Sequence, residues 1–164
     1  STRLDKEDLK RLFNDCAKSL ETSGIMKTWR SRKRDGRQAT LAVLPVVNET
    51  SEHIDGALQT LLKKLETDLI NADDVAVVSK VDQPMLLDEL RAQQGASFDP
   101  LKVAEMGRQL GSQFFLTGRV YDIAEKGAEG RRVQYFLFMQ VIEVETGRVR
   151  WQISAEALKG LVKG

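Results

Sequence analysis

The hydrophobic residues of this 164-residue chain follow two spacings, one typical of helices and one typical of strands. An amphipathic N-terminal helix is predicted by apolar residues at mixed, mostly three- and four-residue spacings that share one side of a helix: Leu4, Leu9, Leu12, Phe13, Cys16 and Leu20. Residues 25–29 favour one more helical turn. Residues 40–47 form a continuous β-branched and aliphatic run, which predicts a strand buried on both faces and paired in parallel. Pro45 predicts that this pairing weakens near the end of the strand.

Two further helices are predicted from leucine spacing and capping residues. Leucine and isoleucine residues recur at helical spacing from Ile54 to Leu69, and Ser51 is the expected N-cap of that helix. After a turn at residues 71–74, residues 75–79 are predicted to form a short second strand. Pro84 to Gly95 is the range predicted for the next helix.

Another helix should begin at Asp99-Pro100 and end at Gly111, because Asp caps a helix, Pro suits its first position and Gly follows its end. We expect its apolar residues to be buried; these are Leu101, Val103, Ala104 and Leu110.

The C-terminal third predicts a β-meander. Residues 113–125 form the third strand, and residues 126–130 a flexible loop. The fourth strand alternates large apolar residues on both faces around Phe136 and Phe138, so we expect neither face to lie in water. The turn Glu145-Thr146-Gly147 returns residues 148–154 as an antiparallel fifth strand. Residues 155–164 are expected to form a short helix or a frayed end.

These elements predict the α/β class: a three-layer-like mixed sheet of about five strands flanked by helices, with an antiparallel C-terminal meander and an additional N-terminal helix. Residues 39–164 are expected to form one globular unit. Residues 1–38 are expected to supply a helix and a basic connector that pack on it.

Composition narrows the class of protein. With 41% hydrophobic residues, 30% charged residues and a net charge of +1, the chain is unlike disordered, membrane-spanning or strongly basic proteins. Cys16 is the single cysteine and cannot form an internal disulfide, so the redox compartment stays open. Its place in a helical pattern predicts a buried residue.

No catalytic or metal motif emerges from the chemistry-bearing residues. His53 is the single histidine and has only neighbouring carboxylates beside it, whereas zinc needs three or four protein ligands at defined spacing. The sequence holds no GxSxG, no P-loop and no GxGxxG. Acidic pairs such as Glu143 and Glu145 lead into an exposed turn, which indicates solvated surface. We therefore predict a non-enzymatic protein with no cofactor and no metal.

Two polar or aromatic segments leave alternatives open. The basic connector is interpreted as a solvated loop, with contact to an anionic surface or nucleic acid as alternatives. The candidate anionic-surface residues are Arg30, Arg32, Lys33, Arg34 and Arg37. The aromatic series of strands three and four is predicted to be core, and the alternative is a partner-binding face.

Three motifs, LAVLPVVNET, QLGSQFFLTGRV and VIEVETGRVRWQ, resemble the LpoB family of outer-membrane lipoproteins that activate class A penicillin-binding proteins. The resemblance covers about residues 39–158, and TolB amino-terminal and CsgG-like domains share parts of the same rhythm. It implies a periplasmic domain, anchored to the outer membrane by a lipidated N-terminus, that docks on a regulatory domain of the synthase. It transfers no catalytic residue. The N-terminal helix with its basic connector and the lack of a proline-rich tether depart from the family pattern.

The chain starts at Ser1, so we expect an export signal and lipid anchor to precede it. Nucleic acid is not an expected partner, and membrane contact is expected only through that anchor. The partner-binding residues are predicted where strand and helix ends meet, at Asn48, Thr50, Arg108, Gln113 and Phe114. Two other functions stay open: an envelope secretion or assembly component like CsgG or TolB, and a nucleic-acid-binding module of anticodon-binding-like fold.

Overall fold

The computed structural model describes residues 2–78 and 99–160, which form four helices and five strands. The helices are α1 (Lys6–Glu21), α2 (Gly24–Arg34), α3 (Asp55–Ala72) and α4 (Pro100–Leu110). The strands are β1 (Thr40–Asn48), β2 (Ala76–Val77), β3 (Phe114–Gly127), β4 (Gly130–Glu143) and β5 (Val149–Gly160).

The strands form one mixed sheet in the order β2-β1-β3-β4-β5. β1 pairs in parallel with β2 and β3, and β3, β4 and β5 form an antiparallel meander. The β1–β3 register shifts between Val43 and Val46, around Pro45, because proline cannot donate a ladder hydrogen bond. The predicted fold class and the weakened pairing at Pro45 are both confirmed.

Helices cover the two faces of the sheet unequally. The inner face packs on α1, α2 and α3 in a first core that includes Trp29 and Cys16. The other face packs on α4 in a smaller second core built around Ala42, Phe115 and Ile142. The sheet is therefore the middle of three layers, with a core on each face. Residues 41–44 of β1 are buried between the two cores, as predicted for a strand covered on both sides.

Gly107 lets α4 approach the sheet closely. A Cβ at this position would lie 2.6 Å from Phe115 Cε1 and 2.7 Å from Val144 Cγ2, which is inside van der Waals contact. Helix α4 also has its predicted ends: the Asp99 carboxylate accepts from the Leu101 N–H, and Gly111 adopts the left-handed conformation with φ 73°.

Several predicted helix details are wrong. Helix α3 begins at Asp55 with Ile54 as its N-cap, not at Ser51, because Asn48, Thr50 and Glu52 hold the chain in a hydrogen-bonded turn first. The basic connector is helical through Arg34 in α2 rather than a loop. Leu101 is 81% exposed, because α4 meets the second core through Ala104, Met106 and Leu110.

Two strand predictions are also wrong. Residues 126–130 form a two-residue hairpin in which Gly127 pairs with Gly130, rather than a flexible loop. Residues 155–160 continue β5, where a helix or frayed end was expected, because Ala155 and Ala157 fill the first core at strand spacing. The helix predicted at Pro84–Gly95 and the side chain of Val103 lie outside what the structure describes.

Candidate functional site: an aromatic face of the sheet

The outer side of β3 and β4 is only partly covered, contrary to the prediction that neither face of β4 lies in water. Every odd residue of β4 from Val133 to Val141 is buried, whereas the even residues from Gln134 to Gln140 are partly exposed. The physical reason is that, among the described helices, only α4 packs on this side, and it does so where Phe115 and Ile142 lie. We call the uncovered part the open face; it consists of Arg119, Tyr121, Ile123, Phe136 and Phe138.

Ring stacking orders the open face. Tyr121 and Phe136 are cross-strand partners, and their rings stack with centroids 4.9 Å apart and planes 15° apart. The guanidinium of Arg119 lies 5.3 Å from the Tyr121 ring centroid and 5.6 Å from that of Phe138. Both distances are within the range of cation–π attraction. Arg119 is also 3.6 Å from Glu49.

Amide and carboxylate side chains extend the open face toward β5. Gln134 Nε2 donates to Glu156 Oε2 at 2.9 Å, and Gln140 Nε2 donates to Gln152 Oε1 at 3.0 Å. Ile123 is 50% exposed and Leu158 64% exposed beside them. Partly buried aromatic rings, an arginine and a polar border are the composition found at the centre and rim of protein–protein contacts.

The predicted residues Asn48 and Thr50 lie at the end of β1 and bond to each other. The Thr50 hydroxyl and N–H donate to Asn48 Oδ1 at 2.6 and 3.0 Å, and Asn48 Nδ2 donates to the Glu52 carbonyl at 2.9 Å. These polar groups therefore fix the turn before α3.

The other three predicted residues come together at the opposite end of β1. Arg108, Gln113 and Phe114 line a cavity of about 360 Å³ with Arg32 and Glu143. Gln113 holds the starts of β1 and β3 together, since its N–H donates to Thr40 Oγ1 at 2.9 Å. Phe114 is fully buried, edge-on to Trp29 at 5.6 Å. The eight residue steps of β1 separate this cavity from Asn48 by about 26 Å, so the five residues do not form one contact surface.

Most of the predicted anionic-surface residues contact acidic or aromatic groups of the protein itself. Arg30 lies 2.6 Å from Glu21 and 3.4 Å from Asp74, and Lys33 lies 3.2 Å from Asp73. Arg32 sits 5.4 Å over the Phe114 ring, and Arg37 lies 3.8 Å from Asp35. The hydrogen bond that Arg30 donates to Glu21 and the charge of Asp74 raise the pKa of Arg30.

Hydrogen bonds from Gln38 and Lys33 lower the pKa of Asp73. Asp73 follows the end of α3 with a positive φ of 59°. These contacts attach α2 to the end of α3. For Arg34, the described residues provide no ion-pair partner.

His53 lies in a polar cavity of about 470 Å³ with Glu52, Asp122 and Arg131. The Tyr135 hydroxyl at its wall is 2.7 Å from Glu52 Oε1 and 2.8 Å from the Thr2 carbonyl. Burial and the Glu52 carboxylate raise the pKa of Tyr135, so the phenol stays protonated as a donor. His53 is exposed. Within residues 2–78 and 99–160, no three histidine, cysteine or carboxylate groups cluster as metal ligands.

Comparison with known proteins identifies the family. The family model "Peptidoglycan-synthase activator LpoB" matches residues 8–156. The chain belongs to the LpoB family. Its members activate peptidoglycan synthases as non-catalytic regulators, so membership supports the non-enzymatic prediction. No curated protein sequence matches the chain.

Solved structures of low identity are similar to this LpoB-family chain. The LpoB C-terminal domain of Salmonella enterica is 19% identical, with 94% of this chain and 98% of that one covered and a TM-score of 0.48. The Escherichia coli LpoB C-terminal domain is 21% identical over 73% and 82% of the chains, with a TM-score of 0.47. A Neisseria meningitidis lipoprotein is 16% identical over 74% and 83%, with a TM-score of 0.46.

In this LpoB-family chain, none of the described helices is both long and apolar enough to cross a bilayer.

The sequence carries a signal for the open face that the prediction of a buried β4 leaves unused. Gln134 and Gln140 share a side of β4 with Phe136 and Phe138, and polar residues recur on one parity only where that side meets water.

Proposed function

We propose that this LpoB-family protein is a periplasmic lipoprotein domain, anchored to the outer membrane, that binds a class A penicillin-binding protein. It stimulates peptidoglycan synthesis by that partner. The open face is its contact surface. The observation that carries the proposal is an arginine that lies over two partly exposed aromatic side chains in a protein of the activator family.

The open face suits a reversible contact. Its rings are held by stacking and by strand pairing, so little side-chain freedom is lost when a partner covers them. Arg119 offers a charged group whose geometry is fixed by Tyr121, Phe138 and Glu49. Rigid aromatic and arginine side chains contribute most of the binding energy in typical interfaces.

Activation then follows as a shift of population. A protein that binds the active conformation of the synthase more tightly than the inactive one stabilises the active state by the difference in binding free energy. No covalent step on the activator is required. Family membership and the accessible aromatic surface support this mechanism.

A binding measurement tests the contact surface. We expect Arg119→Ala to weaken binding to the purified regulatory domain of the class A synthase by about tenfold or more, as for a central interface arginine. Titration calorimetry measures the change.

Arg11→Ala is the matched control, because Arg11 is also exposed but lies on α1, at the inner side of the sheet. It should change the affinity less than twofold. Equal losses for the two variants would reject the open face as the contact surface, and a wild-type protein that binds no class A synthase would reject the proposed partner.

A further inference from the structure

Strand β5 is an outermost strand of the sheet and is 12 residues long. It pairs with β4 on one side, and in the described part of the chain no strand pairs with its other side. The opposite outer strand, β2, has two residues. Short length is one way in which proteins protect a sheet edge, and β5 lacks that protection.

The hairpin between β3 and β4 determines which β5 backbone groups point outward. In a two-residue hairpin the flanking pair, here Gly127 and Gly130, is hydrogen-bonded. Hydrogen-bonded and non-bonded pairs alternate along the strands, so the backbone groups of even β4 residues bond to β3 and those of odd β4 residues bond to β5. The β5 residues that pair with these odd β4 residues, from Trp151 to Lys159, are also odd-numbered. The N–H and C=O groups of Gln152, Ser154, Glu156 and Leu158 therefore point away from the sheet.

Helix α1 contacts β5 through the other residues. Trp151 Nε1 donates to Ser19 Oγ at 3.0 Å, and Lys159 Nζ lies 2.8 Å from Asp8 and 3.3 Å from Asp5. Ala155 and Ala157 are buried in the same core. The four even residues are exposed. Lysine often protects a sheet edge from pairing. The one lysine of this strand, Lys159, instead pairs its charge with acidic residues on the inner side.

We propose that β5 pairs antiparallel with β5 of a second copy of this chain, centred on Ser154, to give a ten-stranded sheet. Two copies related by a twofold axis form a self-complementary contact. This register sets Ser154 opposite Ser154 and Gln152 opposite Glu156 of the other copy, twice. A register centred on Glu156 would instead place two carboxylates together.

The side-chain hydrogen bonds favour the same register. Gln152 uses its Oε1 to accept from Gln140, and its Nε2 has no acceptor among the described residues. Glu156 accepts from Gln134 through Oε2, and Oε1 can accept another donor. Gln152 of one copy can therefore donate to Glu156 of the other. The two open faces would join into one, although the pairing does not depend on the proposed synthase contact.

Sedimentation velocity over a wide concentration range tests the pairing with the protein as it is. We expect a monomer–dimer equilibrium, and we expect Ser154→Pro to raise the dissociation constant by about tenfold or more. Proline removes the outward N–H of Ser154 from each copy, so the dimer loses two hydrogen bonds in this register, and the β4 ladder stays intact. Ser154→Ala keeps the N–H and should dimerise like the wild type.

Ser154→Lys is a second variant for use if the proline variant does not fold. It places two cations opposite each other and should also prevent dimerisation. A wild-type protein that is monomeric at every concentration would overturn the proposal. The proposal would also be overturned if the Ser154→Pro or Ser154→Lys protein folded and dimerised as readily as the wild type.

Hydrogen exchange and cross-linking test the register itself. Amides of the even β5 residues should gain protection as concentration rises, while those of the odd residues are protected throughout. Ser154→Cys should form an intermolecular disulfide on oxidation, whereas Gln140→Cys, on the same side but in β4, should not. Concentration-dependent protection elsewhere with none at β5 would contradict the assignment.

Discussion

Single residues decide how closely the layers of this protein approach. Gly107 is the clearest case, because the ring of Phe115 and a methyl group of Val144 occupy the space that a Cβ would need. The second core contains few residues, so a shift of α4 would expose much of it. The effect of an alanine here should be opposite to its usual effect in a helix.

Gly107→Ala should lower the free energy of unfolding by about 1–3 kcal/mol, since the added methyl overpacks the second core. Gly56→Ala in α3 is the matched control. A Cβ there meets no atom within 4 Å, so the substitution should stabilise the protein by up to about 1 kcal/mol. Urea unfolding measures both. A Gly107→Ala protein as stable as the control would show that α4 does not pack as described.

Cys16 illustrates burial of a reactive group. The side chain is 1% exposed, and burial raises the pKa of its thiol to about 12. Because the thiolate is the reactive species, the native protein should react with a disulfide reagent at pH 8 orders of magnitude more slowly than the unfolded chain. Absorbance of the released thiol measures the rate. Rapid reaction of the folded protein would contradict the position of α1.

At the scale of elements, α1 is attached to the sheet through its N-terminal cap. The Asp5 side chain accepts from the Asp8 N–H at 2.8 Å, and Asp8 accepts from the Asp5 N–H at 3.1 Å. Lys159 of β5 contacts both carboxylates. Hydrogen bonding to the Asp8 N–H and, beyond it, to Lys159 lowers the pKa of Asp5 below its ordinary value of 3.8.

The pH dependence of stability follows from that lowered pKa. The contribution of ionised Asp5 is complete above the unfolded-state pKa and is lost as pH falls through the lower folded-state pKa. Asp5→Asn should therefore be less stable than the wild type at neutral pH, and the difference should shrink below about pH 4. Urea titrations at several pH values measure this, with Asp15→Asn, outside the cap of α1, as the control. A difference that does not change with pH would contradict the capping geometry.

Sequence patterns predicted the elements better than their ends and faces. The leucine spacing of α1 and α3, the apolar run of β1 and the Asp99-Pro100 start of α4 all depend on local rules. The position of Ser51 before the leucine repeat predicts a cap, but the Asn48 turn displaces the helix start to Asp55. That turn depends on side-chain bonds that spacing does not reveal.

Gln134 and Gln140 indicate an exposed side of β4, but spacing alone could not give the extent of the open face. Phe136 and Phe138 are as hydrophobic as core residues, and their exposure depends on how far α4 extends across the sheet. Likewise, the five predicted partner-binding residues share only a position at a strand or helix end. The parallel pairing of β1 with β3 places Asn48 and Gln113 at opposite ends of β1. This separation can be predicted only when the strand topology is known.

At the scale of the whole molecule, the first core and the proposed contact surface lie on opposite faces of the sheet. In residues 2–78 and 99–160, the inner face packs on three helices, and the outer face carries α4 and the open face. A surface substitution on the open face should therefore alter partner contact without unfolding the protein, and a matched substitution on α3 should alter neither. Ile123 and Ile70 allow this comparison, because they are 50% and 48% exposed on opposite sides of the molecule.

Glycan polymerisation by a purified class A synthase, measured with the wild type, Ile123→Asp and Ile70→Asp proteins, tests the proposed activation most directly. We expect the wild type and Ile70→Asp to stimulate the rate equally, and Ile123→Asp to lose most of the stimulation while keeping its thermal midpoint. No stimulation of any class A synthase by the wild-type protein, or full stimulation by Ile123→Asp, would contradict an activator that acts through the open face.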